Sequence, residues 1–146
     1  MAVAKKLQMA QQGVVDSCGC KSGCSKCAPE VKFLAAMSDA RIPVAYWSLK
    51  MSDFSCAENI KRATVDYIKE IRPNYLAGAN VCFAGSLGPG KTYSIANILK
   101  AAIAHGFSAY YTSLGEMVSG LINPSSKFVV GDLLIGSDFL AIDEVD

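Results

Sequence analysis

The chain has 146 residues, of which 51% are hydrophobic and 18% charged, and its net charge at pH 7 is +1. This composition is typical of a globular protein with a buried core and excludes a disordered chain. The near-zero net charge excludes a global attraction to nucleic acid or membrane, although it leaves room for a local basic face. The length allows one domain and a small appendage.

Residues 1–30 are predicted to be a separate cysteine-rich, metal-binding unit, because four of the six cysteines lie close together at Cys18, Cys20, Cys24 and Cys27. Four thiolates satisfy tetrahedral Zn²⁺, and the Cys24-x-x-Cys27 spacing is common in zinc knuckles. We therefore expect these four cysteines to bind zinc. The alternatives are a [4Fe–4S] cluster, whose usual cysteine spacing differs, and a unit without metal.

The N-terminal residues 1–13 contain two lysines but no apolar segment after them, so they do not predict a secretory signal. No apolar run approaches the length of a membrane span. We therefore expect a cytoplasmic protein with no membrane partner. In that compartment a cysteine cluster more often binds metal than forms disulfides.

Residues 31–56 are predicted to be a linker, with a short helix over 31–37. Pro43 favours extended chain around it, because the residue before a proline avoids helical geometry. An amphipathic helix is predicted over 57–71, where apolar residues recur at steps of three and four. Its predicted end is Arg72-Pro73-Asn74.

From residue 81 onwards, strands and helices alternate, which is typical of a parallel α/β sheet. Gly106 is predicted to end one helix in a left-handed conformation, and Ser113 with Glu116 to form a capping box at the start of the next. The predicted elements are a strand at 81–84, a helix at 91–105, a strand at 109–112, a helix that starts at Ser113 and is broken by Asn123-Pro124-Ser125-Ser126, and a strand at 139–142.

A phosphate-binding loop is indicated by Gly85, Gly90, Lys91 and Thr92, which match G-x-x-x-x-G-K-[ST]. Glycines let the backbone wrap around a phosphate, and the inward N–H groups and the helix N-terminus attract the anion. Lys91 would contact the β- and γ-phosphates, and the Thr92 hydroxyl would bind Mg²⁺. The predicted ATP- or ADP-binding residues in this segment are Gly85, Gly88, Gly90, Lys91, Thr92 and Tyr93.

Pro89 departs from the usual pattern of this loop. The residue before the last glycine normally donates its backbone N–H to the β-phosphate, and proline has no N–H. We therefore expect one hydrogen bond to the nucleotide to be missing.

Asp143 and Glu144 follow four apolar residues at 139–142, which is the Walker B pattern. A buried parallel strand would bring both carboxylates to the rim where a nucleotide binds. Asp143 would hold Mg²⁺ through water. Glu144 would orient and activate the attacking water, and Lys91 would be the second catalytic residue.

These motifs together resemble AAA+ ATPases, and residues 80–146 are similar to the DnaC/IstB group of helicase loaders and transposition helpers. The similarity lies in the segments at 80–85, 91–98 and 109–118. The resemblance implies a parallel-sheet P-loop core over 57–146 that hydrolyses ATP with Mg²⁺. The cysteine-rich unit is similar to the small zinc domain of some helicase loaders.

The resemblance also implies a role in DNA replication, with a replicative helicase and single-stranded DNA as partners and an oligomer on the partner. An AAA+ module continues after Walker B with a sensor residue, an arginine finger and a lid, so we expect an incomplete core with weak or no hydrolysis. The alternatives are a transposition or repair accessory ATPase and a nucleotide-dependent binding module with little turnover. Pro89 favours the binding module.

Tyr110 and Tyr111 are expected in the core, because aromatic residues in apolar strands are usually buried. Stacking on nucleic-acid bases is the alternative.

Overall fold

The computed structural model describes residues 14–15, 20–21, 28–53, 57–85, 88, 90–123, 125 and 127–145. Over these residues the chain is an α/β protein with a small parallel sheet. Short 3₁₀ helices lie at Val44–Tyr46 and Met51–Asp53. The strands and α-helices are, in chain order, β1 (Val14–Val15), β2 (Cys20–Lys21), α1 (Ala28–Asp39), α2 (Glu58–Lys69), α3 (Ile71–Leu76), α4 (Lys91–Ala104), β3 (Ala109–Ser113), α5 (Leu114–Ile122), α6 (Lys127–Gly136) and β4 (Phe139–Asp143).

Strands β3 and β4 pair in parallel, in a register that runs from Ala109 opposite Phe139 to Ser113 opposite Asp143. Their carboxyl ends therefore meet at one edge of the sheet. Helix α4 contacts both strands and buries Ala96 and Ala102 completely. Small side chains at these positions let the helix approach its neighbours closely, which brings the start of α4 next to the end of β4.

The strand predicted at 81–84 is not a strand in the structure. These described residues have neither helical nor ladder hydrogen bonding, and Val81 is 38% exposed. A cavity of about 350 Å³ is lined by Asn80 and Val81 together with Leu140 and Ile142 of β4. An apolar run becomes a strand only where a neighbouring strand pairs with its backbone groups, and among the described residues β4 pairs with β3 and not with this segment.

Several predicted element ends are confirmed. Gly106 has φ 86°, and the Phe107 N–H donates to the Ala102 carbonyl at 3.0 Å, which closes α4 as expected. At the start of α5, the Glu116 N–H donates to Ser113 Oγ at 3.2 Å, and the Glu116 carboxylate accepts from the Ser113 N–H. The turn at Asn123 ends this helix.

Other predictions for the helices were wrong. Helix α2 ends at Lys69 rather than at Arg72-Pro73-Asn74, and α3 begins two residues later. Pro73 lies in the first turn of α3, where its missing N–H would have no helical acceptor, so the proline is tolerated. Pro43 is extended at φ −58° and ψ 131°, but a 3₁₀ helix follows it directly. Helix α6 was not predicted, since its glycines and valines have low helix propensity.

The cysteine-rich unit lies largely outside the described residues. Cys18, Cys24 and Cys27 are among the residues that are not described, whereas Cys20 lies in β2, opposite Val15 of the antiparallel β1. The described ranges contain no group of three or more His, Cys, Asp or Glu that could hold a metal ion. Zinc binding therefore stays a prediction. No helix within the same ranges has both the length and the apolar character needed to cross a membrane.

Candidate functional site

Thr92 and Asp143 form the centre of the candidate site. Thr92 lies in the first turn of α4, and Asp143 is the last residue of β4. The Thr92 hydroxyl donates to Asp143 Oδ2 at 2.7 Å, although the two residues are 51 positions apart in the chain. The packing of α4 on the sheet thus brings together two residues that were assigned to Mg²⁺ from separate motifs.

The Asp143 carboxylate accepts two further hydrogen bonds. The Tyr111 hydroxyl donates to Oδ2 at 2.9 Å, and the Glu144 N–H donates to Oδ1 at 3.0 Å. Burial raises the pKa of Asp143, but the hydrogen bonds and the charge of Lys91 together outweigh burial and hold this pKa below its usual value. Asp143 is therefore an ionised, well-oriented carboxylate at neutral pH.

Lys91 contacts the first glycine of the predicted phosphate loop. Its Nζ donates to the Gly85 carbonyl at 2.8 Å. Gly85 has φ 146°, a conformation in which any side chain would be strained, so glycine is required there. Ser86, Leu87 and Pro89 lie outside the described residues, and the hydrogen bond expected to be missing at Pro89 stays a prediction.

The remaining glycines of the segment lie around the start of α4. Gly88 is exposed, whereas Gly90 is buried and forms the N-cap of the helix. As a glycine, Gly90 has no side chain that could cap the first N–H groups. The helix dipole gives this end a partial positive charge, which adds to that of Lys91. Both features favour an anion at the same place.

Tyr93, predicted to bind nucleotide, has its side chain in the core. It is 2% exposed, its hydroxyl donates to the Lys50 carbonyl, and its ring lies edge-on to Tyr46 at 6.1 Å between centroids. Any contact between Tyr93 and a nucleotide would therefore come from its backbone.

Glu144 is exposed and follows β4 directly, with φ 53°. For a residue with a Cβ atom, this left-handed conformation costs about 1–2 kcal/mol. Such strain is often found at functional positions, where the surrounding structure holds it in place. Glu144 thus directly follows Asp143 at the edge of the sheet.

Tyr111 belongs to this site, and sequence reasoning placed it in the core instead. It is half-buried, with its ring against the core and its hydroxyl on Asp143. The sequence feature that could have placed Tyr111 in the site is the two-residue period of a strand. Tyr111 lies two positions before Ser113 and hence on the same face, and Ser113 pairs with Asp143. That deduction needed the parallel register, which the sequence alone does not give.

The residues present fit a magnesium nucleotide. Mg²⁺ prefers hydroxyl, carboxylate and phosphate oxygens, and Thr92 and Asp143 offer the first two within one hydrogen-bond length. Lys91 and the start of α4 supply the positive charge that a phosphate group requires. The donor set is therefore suitable for both the metal and the anion.

Comparisons with protein-family models, with curated proteins and with solved structures found no match to this chain. A functional assignment therefore depends on the residues themselves.

Proposed function

We propose that the chain contains the nucleotide-binding core of an AAA+-type P-loop ATPase, which binds ATP or ADP with Mg²⁺ between the segment at 85–92 and the end of β4. The observation that carries this proposal is the 2.7 Å hydrogen bond from Thr92 to Asp143, next to Lys91 and the start of α4. A glycine-rich segment, a lysine, a hydroxyl and a strand-end carboxylate are the parts that phosphate and Mg²⁺ binding require.

Each residue has a specific role in this proposal. Lys91 would exchange the neutral Gly85 carbonyl for a phosphate oxygen, which forms a stronger, charge-assisted hydrogen bond. Thr92 would bind Mg²⁺ directly and Asp143 would hold it through water. When bound, the metal would neutralise charge on the phosphates. Glu144 would orient the attacking water from its exposed position after β4.

At the level of the whole protein, we propose a cytoplasmic helicase loader in DNA replication. Its partners would be a replicative helicase and single-stranded DNA, and it would oligomerise on the helicase. The support is the resemblance of the two nucleotide-binding motifs to those of loaders, together with a cysteine-rich unit ahead of them. Zinc held by Cys18, Cys20, Cys24 and Cys27 would stabilise that unit. Co-purification of a hexameric helicase would distinguish a loader from a transposition or repair ATPase.

A second candidate is a nucleotide-dependent binding module with little turnover. The observation that favours it is Pro89, which has no backbone N–H to donate to a phosphate. A missing charge-assisted hydrogen bond would weaken both binding and transition-state stabilisation.

Replacing Lys91 tests the proposal. Lys91→Ala removes the cation that would face the phosphates. A hydrogen bond from such a charged group is worth about 1.5–3 kcal/mol. We expect ADP affinity, measured by titration calorimetry in Mg²⁺, to fall by about ten- to a hundredfold. Lys69→Ala is the matched control, since Lys69 is an exposed lysine of α2 that pairs only loosely with Asp66, at 3.6 Å.

The two variants separate the possible outcomes. Weak binding by Lys91→Ala with unchanged binding by Lys69→Ala would support a phosphate site at the start of α4. Equal ADP affinity in the wild type and in Lys91→Ala would contradict the proposal.

A further inference from the structure

The two oxygens of the Asp143 carboxylate have different partners. Oδ1 accepts from the N–H of the next residue, Glu144, at 3.0 Å. Oδ2 accepts from Thr92 at 2.7 Å and from Tyr111 at 2.9 Å. An aspartate side chain turns easily about its last torsion angle, which has broad minima. The donors around it therefore decide which oxygen faces Thr92.

Tyr111 is the donor that comes from the paired strand. Thr92 lies at the start of a helix that follows the glycine-rich segment, and the Glu144 N–H lies on a backbone with left-handed geometry. The ring of Tyr111, by contrast, packs against the core. Its strand, β3, pairs with β4 at the residues before and after Tyr111. The packing of its ring and the pairing of its strand thus fix the position of the Tyr111 hydroxyl.

A tyrosine hydroxyl carries its proton at neutral pH, so the 2.9 Å contact of Tyr111 with Asp143 Oδ2 is a hydrogen bond in which Tyr111 donates.

We propose that Tyr111 is a positioning residue of the nucleotide site: its hydroxyl holds Asp143 Oδ2 toward Thr92 and thereby sets the affinity of the site for Mg²⁺. This inference rests on the proposed function and extends it by a residue outside both nucleotide-binding motifs. Groups that orient a metal ligand from outside its coordination shell commonly change metal affinity by about 10–100-fold. Tyr111 acts through Asp143, so its removal should affect Mg²⁺ binding and leave the phosphate contacts in place.

The neighbouring tyrosine provides a matched control. Tyr110 lies on the opposite face of β3, is 3% exposed, and its hydroxyl accepts from Arg41 Nη1 at 3.1 Å. Tyr110→Phe and Tyr111→Phe thus each remove one hydrogen-bonded hydroxyl from the same strand and keep the ring. Of these two tyrosines, Tyr111 is the one whose hydroxyl donates to Asp143.

The experiment measures ADP affinity by titration calorimetry, once in excess EDTA and once in excess Mg²⁺. The ratio of the two dissociation constants is the factor by which Mg²⁺ tightens ADP binding. We expect Tyr111→Phe to lower this factor about tenfold while ADP affinity in EDTA stays at the wild-type value. Tyr110→Phe should change neither quantity. A purely structural role of Tyr111 would instead lower ADP affinity equally in both conditions.

The outcomes distinguish this inference from the proposed function. An unchanged Mg²⁺ factor in Tyr111→Phe, in a protein whose wild type binds Mg²⁺ and ADP together, would overturn the inference alone. A wild type that binds no ADP would overturn both. If Tyr111→Phe does not fold although it keeps the ring in the core, the hydroxyl is needed for the fold itself, and the inference is overturned.

Discussion

Strand β4 has an aspartate at each end, and the two carboxylates have closely similar donors. Asp138, just before the strand, accepts from the Tyr75 hydroxyl and from the hydroxyl and N–H of Ser108, each at 2.8 Å. Asp143, at its end, likewise accepts from a tyrosine hydroxyl, an aliphatic hydroxyl and a backbone N–H. In both, these hydrogen bonds hold the pKa below its usual value.

The surroundings of the two aspartates differ. Asp138 is exposed and lies beside a cluster of aromatic rings in which Tyr75, Phe107 and Phe139 have centroids 4.7–5.8 Å apart. Asp143 is 9% exposed and lies beside the helix start that carries Lys91. The set of hydrogen-bond donors alone therefore does not distinguish the two carboxylates. Burial, a nearby cation and a glycine-rich segment distinguish Asp143, for which we propose a function.

The largest expected effect comes from neutralising one aspartate at a time. Asp143→Asn removes the charge that would hold Mg²⁺, and we expect the Mg²⁺ factor in ADP binding to fall about 10–100-fold. Asp138→Asn should leave that factor unchanged, since Asp138 lies at the opposite end of the strand. The measurement is ADP calorimetry in EDTA and in Mg²⁺. An equal loss in both variants would mean that the Mg²⁺ effect reports general stability of the sheet.

Most of the residues that meet at Asp143 could be predicted from the sequence, whereas those that meet at Asp138 could not. The Walker B pattern and the loop glycines singled out Asp143, Lys91 and Thr92, because phosphate chemistry restricts the residue types at those positions, and the structure brings these residues together. Asp138 was not noticed, since its partners Ser108 and Tyr75 meet it only through tertiary contacts. Local sequence carries no signal for such contacts.

The sheet itself was predicted only in part. The two strands that pair, β3 and β4, were both found from their apolar runs and flanking turns. The segment at 81–84 has the same kind of apolar run and yet forms no ladder, because pairing depends on a neighbouring edge that a sequence does not show. Tyr111 was missed for the same reason, since its contact with Asp143 follows from the parallel register.

A smaller effect is expected when Asp138 is replaced, and it concerns the free energy of unfolding. Asp138→Asn leaves the Ser108 and Tyr75 donors with a weaker, neutral acceptor, and we expect a loss of about 1 kcal/mol at pH 7, since the site is exposed to solvent. Chemical denaturation of the wild type and the variant measures this difference. Ser108→Ala, which removes one of the donors, should give a loss in the same direction.

The pH dependence of that difference tests its cause. The pKa of Asp138 is lower in the folded chain than its unfolded value near 3.9, so its contribution to stability is fully present above that value. The contribution is lost as the pH falls through the lowered folded pKa. The gap between wild type and Asp138→Asn should therefore be constant from about pH 5 to 7 and close in stronger acid. A gap that persists unchanged in acid would assign the loss to packing.

The smallest expected effect concerns the backbone conformation of the residue that follows each aspartate. Asp138 leads into the regular strand, whereas Asp143 is followed by Glu144 at φ 53°. Glu144→Gly removes the Cβ clash of about 1–2 kcal/mol but makes the unfolded chain more flexible, at a cost of about 0.5–1 kcal/mol. We expect a net gain of about 0.5 kcal/mol in the free energy of unfolding. Chemical denaturation measures it.

Glu144→Gln is the control for this gain, since glutamine has the same Cβ and backbone strain but no charge. It should leave stability unchanged. Both variants should lose any ATP hydrolysis that the protein performs, because neither has the carboxylate that would orient water, and Glu144→Gln should still bind ADP. If glutamine stabilises the protein as much as glycine does, the gain comes from relieving repulsion between Glu144 and Asp143. The left-handed backbone would then impose no measurable strain at this end of β4.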